Sequence, residues 1–321
     1  MDVKLVCALI GGVVIAWFLW PSSEPVPNSA RSLEGAPIEA PDRASQDARR
    51  IIIAPSPTAV PKSIPKTKPA NVQMIRTEPA ALGSTTASPV RVPPGHIARA
   101  YTVDADGIAV VDGDIAIGLP PDGSVEGNQG VAAVPVIQMW PTRIVPYHIQ
   151  AELTNSSRVN EALQMFSNTA IRFVPYANEA DAVVFEEAEG TCKSYVGRVG
   201  GKQPIWISPK CGPHEIAHEL MHAIGFIHEQ NRTDRDQFVK LMPEAIDDKF
   251  KINFDKMPDT FMRISGLSEF SYDSIMIYPP TMFSRNAQAT MVPVQEGKRI
   301  QPSEGLNERD RERINAYYGQ R

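Results

Sequence analysis

The histidines of this chain are unevenly spread, because four of the six fall between His214 and His228. The stretch reads HEIAHELMHAIGFIHE and contains the pattern His-Glu-x-x-His twice, once from His214 and once from His218. On an α-helix, residues four apart share one face with Cβ atoms about 5–6 Å apart, so two imidazoles can bind one zinc ion. The stretch therefore predicts a helix that carries a metal site, in one of two overlapping registers.

The residues that follow decide between the two registers. A third ligand can return to the metal if the helix stops and the chain turns, and glycine adopts the left-handed conformation that such a turn needs. Gly225 lies seven residues and His228 ten residues after His218. Counted from His214, the same positions hold methionine and isoleucine, which can do neither task. The predicted zinc ligands are therefore His218, His222 and His228.

Glu219 directly follows the first predicted ligand, so on a helix it points to one side of the metal. That position suits a general base, because zinc lowers the pKa of its bound water to about 7 and a carboxylate takes the proton as the water attacks a peptide carbonyl. His214, one turn upstream, is predicted to be a polar residue of the helix start. The alternative to a metal site, a helix with solvated histidines, does not explain the offsets of Gly225 and His228.

The first twenty residues predict export from the cytoplasm. An unbroken apolar run extends from Leu5 to Trp20, and Pro21 ends it. Its sixteen residues are many for a signal-peptide core and few for a membrane span, and no clean small-x-small cleavage site follows. Residues 1–20 are therefore interpreted as a signal peptide or a membrane anchor. The rest of the chain is expected to be extracytoplasmic, either secreted or periplasmic.

Residues 21–95 are rich in proline and contain no aromatic residue. Such a segment cannot bury enough apolar surface to offset its ordering entropy, so a disordered spacer is predicted. The formal net charge of the chain is −5, from 32 basic and 37 acidic residues spread along its length. Because these charges do not form a basic cluster, nucleic acid is not an expected partner.

Two cysteines, Cys192 and Cys211, lie outside the apolar N-terminal run. In an exported chain a disulfide between them is the simplest interpretation. Two buried free thiols are one alternative. Zinc ligation is another, although partner residues at Cys-x-x-Cys spacing are absent from the sequence.

From residue 96 the pattern becomes that of a folded protein. Residues 96–130 alternate like short strands around Asp-Gly pairs, which predicts a small hairpin. A domain boundary is expected near Val131. After it, apolar patterns predict strands near 144–149, 171–174, 182–185 and 203–207, and helices near 155–166, 213–224 and 308–318. Strands followed by helices predict an α+β domain.

Residues 218–236, HELMHAIGFIHEQNRTDRD, resemble the signature of the astacin family of metzincins, which are zinc endopeptidases. Further blocks resemble that family in the same order along the chain, at 140–147, 171–175, 192–198, 270–278 and 313–317. The resemblance covers residues 132–320. It implies a metzincin, zincin-like fold, in which a twisted N-terminal sheet and the active-site helix lie over a smaller, irregular C-terminal subdomain that ends in a helix.

The resemblance also implies roles that spacing cannot assign. Met276 would form a turn beneath the zinc ion as an apolar floor, and Tyr278 would stabilise the oxyanion of the tetrahedral intermediate by hydrogen bonding. Without the family, these residues are an ordinary core methionine and a strand-end aromatic. Glu229 would anchor the new N-terminus of the mature enzyme, and it separates this family from other metzincin branches.

Departures from the family pattern are also visible. The family usually has a second disulfide, but Ala170 stands in the segment that carries one of its cysteines, and no cysteine lies near the C-terminus. Ile277 stands where histidine is usual, which would alter the substrate-side lining. Upstream, residues 111–114 resemble the pro-segment motif whose aspartate binds zinc in the latent enzyme, although Val111 replaces the usual phenylalanine. Asp114 would be that ligand, and a plain Asp-Gly turn is the alternative.

Together these patterns predict a zinc-dependent endopeptidase with one Zn²⁺ in a catalytic domain of residues 131–321. Residues 96–130 would be its pro-segment, so the enzyme would be made as a latent zymogen. Polypeptides are the expected substrates, and a monomer that the N-terminal run could tether to a membrane is the expected state. The alternative is a catalytically inert module that keeps the metzincin fold for binding or adhesion. Intact Glu219 and Tyr278 argue against that alternative.

Overall fold

The computed structural model describes residues 92–120, 126–258 and 269–319, and the backbone of two short strands near the N-terminus. These strands, β1 (Leu9–Ile10) and β2 (Val13–Val14), pair antiparallel and belong to a unit of residues 1–56. The remainder of the predicted signal or anchor, and the predicted spacer as far as residue 91, lie outside the described residues. Within the described part of the chain, no helix is long and apolar enough to cross a membrane.

A nine-stranded sheet is the frame of the second unit, and it has two halves. The strands in chain order are β3 (His96–Val103), β4 (Ala109–Val111), β5 (Ile115–Gly118), β6 (Gln129–Pro135), β7 (Ile144–Ile149), β8 (Arg172–Pro175), β9 (Ala182–Glu187), β10 (Lys193–Ser194) and β11 (Lys202–Ile207). Their spatial order is β6-β3-β4-β5-β10-β11-β9-β7-β8. Strands β3 to β6 therefore form one half of this sheet, and β7 to β11 form the other. The halves meet where β5 runs parallel to β10, with Ile115 opposite Ser194.

Strand β6 runs through Val131, where a domain boundary is expected from the sequence, and it pairs antiparallel with β3 along its whole length. The two segments also share a hydrophobic core, because Tyr101 and Val111 of the first half cluster with Ile227 and Met257 of the later chain. The predicted pro-segment and the residues after it are therefore joined by one sheet and one core.

Three α-helices confirm the three predicted from the sequence. They are α1 (Ser157–Gln164), α2 (Pro213–Ala223) and α3 (Glu308–Tyr318). Helix α2 starts with proline at its first position, where the missing N–H has no intrahelical partner to lose. The carboxylate of Glu215 accepts the N–H of Gly212 at 2.7 Å and closes this helix start. The main core packs Leu220 of α2 against Phe185 and Ile205 of the sheet.

After His228 the chain becomes irregular, as the family resemblance implies. It forms short 3₁₀ turns at Glu229–Asn231, Arg235–Gln237 and Asp248–Phe254, and a small antiparallel pair, β12 (Val239–Leu241) with β13 (Met291–Pro293). Aromatic residues, among them Phe254, Phe270 and Tyr278, fill a separate core here. A mixed sheet followed by an irregular part and a last helix confirms the α+β class.

Candidate metal centre

Three imidazoles from two segments converge at the end of α2. The Nε2 atom of His218 lies 3.1 Å from Nε2 of His222 and 3.1 Å from Nε2 of His228. The Nδ1 atoms of His218 and His222 lie 2.7 and 2.8 Å from the carbonyl oxygens of Ile275 and Phe226. A carbonyl accepts a proton and does not give one, so Nδ1 carries the proton and Nε2 presents a lone pair. Lone pairs at 3.1 Å repel unless a cation lies between them, so the arrangement fits a metal ion.

A sharp turn after α2 brings the third imidazole to this point. The helix ends at Ala223, and Gly225 has a φ of +102°, in the left-handed region that favours glycine. The N–H of Gly225 donates to the carbonyl of His222 at 2.7 Å. A Cβ atom on Gly225 would lie 2.3 Å from the sulfur of Met139, so the end of that side chain would have to move to admit it. His228 then follows in an extended conformation and is fully buried.

The predicted pro-segment adds a carboxylate to the three imidazoles. Asp114 Oδ1 lies 3.3 Å from Nε2 of both His222 and His228, and its Oδ2 lies 3.4 Å from Nε2 of His218. Single donor atoms of these four residues lie within 4.8 Å of one another and could hold a metal ion. The Asp-Gly turn is also present, because Asp112 and Gly113 have φ values of +50° and +90°. The turn and the contact therefore coexist, and the turn is what aims the carboxylate.

Glu219 is 2% exposed, and its Oε2 has no hydrogen-bond partner within the described residues. Burial and the nearby charge of Asp114 raise its pKa well above the usual value, and the charge of Lys193 opposes them. His214, the start of the competing register, is not among the four candidate ligands, and its Nε2 lies 2.8 Å from the carboxylate of Glu215.

Tyr278 packs its ring 4.7 Å from that of His228, centroid to centroid. Its hydroxyl donates to the backbone carbonyl of Asp112, so the predicted pro-segment contacts this group too. Burial and neighbouring carboxylates, first that of Asp114, raise the pKa of Tyr278 well above 10, which keeps the phenol protonated. The side chain of Gln230 accepts the N–H of Tyr278 at 3.1 Å and fixes the backbone.

Met276 is buried in the main core, and it directly follows Ile275, whose carbonyl oxygen contacts His218. Its carbonyl accepts the N–H of Glu229 at 2.9 Å, which ties the turn to the segment after His228. Helix α3 holds the same turn from the other side, because Asp310 accepts the N–H of Ile275 at 3.1 Å and the hydroxyl of Ser274 at 2.5 Å.

Glu229 is buried beside the metal centre, and its carboxylate is already engaged. It pairs with Arg313 and with Arg232, the latter at 3.3 Å, and it accepts the N–H of Ser271 at 3.2 Å. Any new N-terminus that approached Glu229 would therefore have to share this carboxylate with two arginines.

A disulfide joins Cys192 to Cys211 and so links the start of β10 to the loop before α2. Both cysteines line a cleft of about 700 Å³ that opens beside the candidate metal ligands. The cleft is also lined by Glu219 and Tyr278, and by Asp114 of the predicted pro-segment. It is large enough for several peptide side chains and reaches the groups that carry hydrolytic chemistry.

Residues 133–319 match the family model described as Astacin, a peptidase family, and they are more than half of the chain. The chain belongs to the astacin family. Zinc is the cofactor of these peptidases, and the three imidazoles with Asp114 fit such an ion. Residues 133–319 are therefore a zinc metalloendopeptidase domain.

Relatives and solved structures agree with this assignment. The chain is 36% identical over 187 residues to zinc metalloproteinase nas-15 of Caenorhabditis elegans. The aligned region covers 57% of this chain and 33% of the relative. It is 35% identical to astacin-like metalloprotease toxin 1 of Loxosceles intermedia, over 60% of this chain and 73% of the toxin. The solved structure of high choriolytic enzyme 1, a hatching enzyme zinc-protease from Oryzias latipes, superposes with a TM-score of 0.51 at 30% identity, over 57% of this chain and 94% of that one. The match spans between 33% and 40% of the length of three nematode relatives.

Sequence reasoning did not find every residue that shapes this astacin-family site. It missed Asp310, which accepts the N–H of Ile275 in the turn that contacts His218, and the buried Lys193. Both contacts are long-range, since Lys193 pairs with Asp106 across 87 residues. The one signal for Lys193 was its place in the family-like block at 192–198, which gave it no role of its own.

Proposed function

We propose that residues 131–321 are the catalytic domain of a zinc endopeptidase that hydrolyses peptide bonds in proteins. The observation that carries this proposal is the convergence of three imidazole Nε2 atoms beside a buried glutamate in an open cleft. His218, His222 and His228 are the proposed ligands. When bound, zinc supplies a water of pKa about 7 and polarises the substrate carbonyl.

Glu219 is the proposed general base. Its carboxylate takes the proton of the attacking water and then delivers it to the nitrogen of the leaving amine. This role requires the ionised form, whereas burial and the charge of Asp114 raise the pKa of Glu219. Departure of Asp114 would remove one cause of that shift. The hydroxyl of Tyr278, kept protonated by its raised pKa, would donate to the oxyanion of the substrate.

Residues 96–130 are the proposed pro-segment, and their hairpin supports a latent state in two ways. Asp114 lies against all three imidazoles, and the carbonyl of Asp112 holds the hydroxyl that the oxyanion would need. Activation would follow cleavage in or just before β6. Residues 126–129 at its start are exposed, whereas Ala132 and Ala133 are buried within the paired strand.

The disulfide between Cys192 and Cys211 supports an extracytoplasmic location, because such bonds persist in oxidising compartments. We propose that the protein is secreted or periplasmic, with residues 5–20 as the export signal or tether. A monomer is the proposed state, and polypeptides are the proposed substrates.

The test uses the full-length chain after limited proteolysis, incubated with a denatured protein with and without a zinc chelator. We expect chelator-sensitive cleavage, and we expect Glu219→Gln to lower kcat/KM by a factor of about 10²–10⁴. Glu244→Gln, which changes an exposed glutamate in the same way, is the matched control.

Zinc content, measured by elemental analysis, separates the two readings of a negative result. Zinc bound at one ion per chain without chelator-sensitive cleavage would contradict the peptidase proposal and favour the inert binding module.

A further inference from the structure

Arg99 of strand β3 is a buried arginine that contacts the Asp-Gly turn and the later chain at once. Its Nη2 donates to the carboxylate of Asp112, and the two side chains are 7% and 0% exposed. Its Nη1 donates to the backbone carbonyl of Lys256 at 3.2 Å. Within the described residues, no other basic side chain pairs with Asp112. Because a buried carboxylate is costly without a cation, Arg99 stabilises Asp112 in this position.

Asp112 lies in the turn from which two contacts reach the metal centre. Its backbone φ of +50° lies in the left-handed region, which costs energy in any residue other than glycine. Its carbonyl oxygen accepts the hydroxyl of Tyr278, and Asp114, two residues later, lies against the three imidazoles. Both contacts depend on the backbone course of this one turn, so the pairing of Asp112 with Arg99 supports both of them.

The second contact of Arg99 is made to a fixed segment of the peptidase domain. The side chain of Asn231 donates to the carbonyl of Asp255 at 2.7 Å, and the N–H of Met257 donates to the carbonyl of Asn231 at 2.7 Å. Lys256, whose carbonyl accepts from Arg99, lies between these two anchored residues. The guanidinium group is therefore positioned by the peptidase domain on one side and holds the turn on the other.

Strand β3 also places Arg99 next to the proposed cleavage region. Arg99 stands opposite Ala132 in the antiparallel pairing of β3 with β6, which extends from His96 opposite Pro135 to Thr102 opposite Gln129. Cleavage in or just before β6 would cut the covalent connection between the turn and β6. Strand β3 would then be held to β6 by noncovalent pairing alone, and its departure would carry Arg99 away from Lys256.

We propose that Arg99 is a positioning residue for latency. From a strand paired with the proposed cleavage strand, it holds the Asp112 turn in the conformation that closes the metal centre. The inference rests on the proposed latency of the chain and names the residue on which the closed conformation depends. Arg99 touches neither the imidazoles nor the cleft, so it acts only through the turn.

The first test measures peptide hydrolysis by the uncleaved full-length chain. We expect Arg99→Met to hydrolyse a peptide about tenfold faster than the uncleaved wild type, because a charge-assisted hydrogen bond has a strength of this order. Arg99→Lys keeps a cation beside Asp112 and should stay within about twofold of the wild type. After activation all three chains should have the same kcat/KM, since residue 99 belongs to the proposed pro-segment.

Ile97→Ala is the control for general weakening of strand β3. Ile97 is half-buried on the same strand and packs against the apolar core that β3 shares with β6. We expect this variant to remain as latent as the wild type. An equal rise in hydrolysis by Ile97→Ala and Arg99→Met would assign the effect to strand packing and overturn the proposal.

Two double variants keep the test valid if Arg99→Met folds poorly. Arg99→Met with Asp112→Asn removes the unpaired buried charge, and asparagine tolerates the left-handed conformation. We expect it to show the same tenfold rise. In an Asp114→Ala background the rise caused by Arg99→Met should shrink to about twofold or less, because both residues act through one turn. A full tenfold rise in that background would overturn the proposal.

Hydrogen exchange of the zinc-free, uncleaved chain gives a readout that does not depend on turnover. The N–H of Ser194 donates to the carbonyl of Asp114 at 3.1 Å, so its exchange rate reports whether the turn is docked. By mass spectrometry of peptides that contain Ser194, we expect about tenfold faster exchange in Arg99→Met and wild-type exchange in Arg99→Lys. Unchanged exchange in Arg99→Met would overturn the proposal, and faster exchange would support it even in a chain that cleaves nothing.

Discussion

The proposed pro-segment and the peptidase domain meet through two sets of carboxylates that differ in kind. Asp114 lies against three imidazoles that could hold a metal ion, whereas Asp106 lies against an ammonium group and two backbone N–H groups. The first contact is the one that we propose withholds the groups that perform hydrolysis. The second is an ion pair with hydrogen bonds to the backbone, away from those groups. Different residues of one short region of the chain therefore make the two contacts.

The largest effect is expected when the first contact alone is removed. Asp114→Ala leaves the strand pairing intact, because Ser194 donates its N–H to the carbonyl of Asp114 and not to its side chain. We expect the uncleaved variant to hydrolyse a peptide about a hundredfold faster than the uncleaved wild type, which corresponds to about 3 kcal/mol for the lost carboxylate contact.

The matched control for this variant is Asp248→Ala, at an exposed aspartate that pairs with Lys251. If the uncleaved Asp114→Ala chain stays as inactive as the wild type, latency does not depend on this contact, and the distinction between the two contacts disappears.

A substitution on the peptidase side tests whether the metal centre is as rigid as its geometry implies. Gly225→Ala would place a Cβ at 2.3 Å from a methionine sulfur, on a residue with a φ of +102°. We expect the free energy of unfolding to fall by about 2–3 kcal/mol, measured by denaturant titration.

Gly297→Ala is the control that separates backbone strain from crowding. Its φ is +79°, but nothing lies within 4 Å of the position that a Cβ would take there. We expect a loss of about 1 kcal/mol at this site. If both variants lose the same free energy of unfolding, close packing around Gly225 adds nothing to the cost of backbone strain.

Removal of the second contact should have a smaller effect than removal of the first. Asp104→Asn with Asp106→Asn keeps Asp114 in place, so the uncleaved chain should remain latent. After cleavage we expect the pro-segment to dissociate about tenfold faster, measured by surface plasmon resonance, because the ammonium group of Lys193 loses both counter-charges. A dissociation rate equal to that of the wild type would show that the contact with Lys193 does not contribute to holding the pro-segment.

The smallest expected effect is a change in the free energy of unfolding with pH. The pKa of Asp106 is lowered below 3.8 in the folded chain, so its contribution to stability is fully present above about pH 4 and is lost as the pH falls through the folded pKa. Asp106→Asn should therefore be less stable than the wild type above pH 4, by about 1 kcal/mol or less because the group is partly solvated. The difference should shrink below pH 4, and a difference that is constant from pH 7 to pH 2 would contradict the assignment.

The two contacts also differ in how far the sequence reveals them. The helix α2, its register and the stop at Gly225 are local features, so spacing along the chain predicts them, and the structure brings His218, His222 and His228 together. The Asp-Gly turn was predicted for the same reason. The sequence did not determine which residues the turn contacts, because a hairpin motif specifies only a local backbone shape.

The contact between Asp106 and Lys193 could not be predicted from the sequence. The two residues lie 87 positions apart, and the pairing of β5 with β10 that brings them together involves one strand of only two residues. For a related reason, the sequence did not predict that strand β6 continues through Val131. A loop rich in glycine and aspartate marks a change of composition, whereas backbone pairing across it depends on β3, earlier in the chain.

The most direct test of the closed metal centre is anomalous diffraction at the zinc edge from crystals of the full-length, uncleaved chain. We expect a single zinc ion bound by Nε2 of His218, His222 and His228 and by a carboxylate oxygen of Asp114, at distances of about 2.0–2.2 Å. A zinc ion on those histidines with water in place of Asp114, or a zinc ion on His214 and His218, would contradict it.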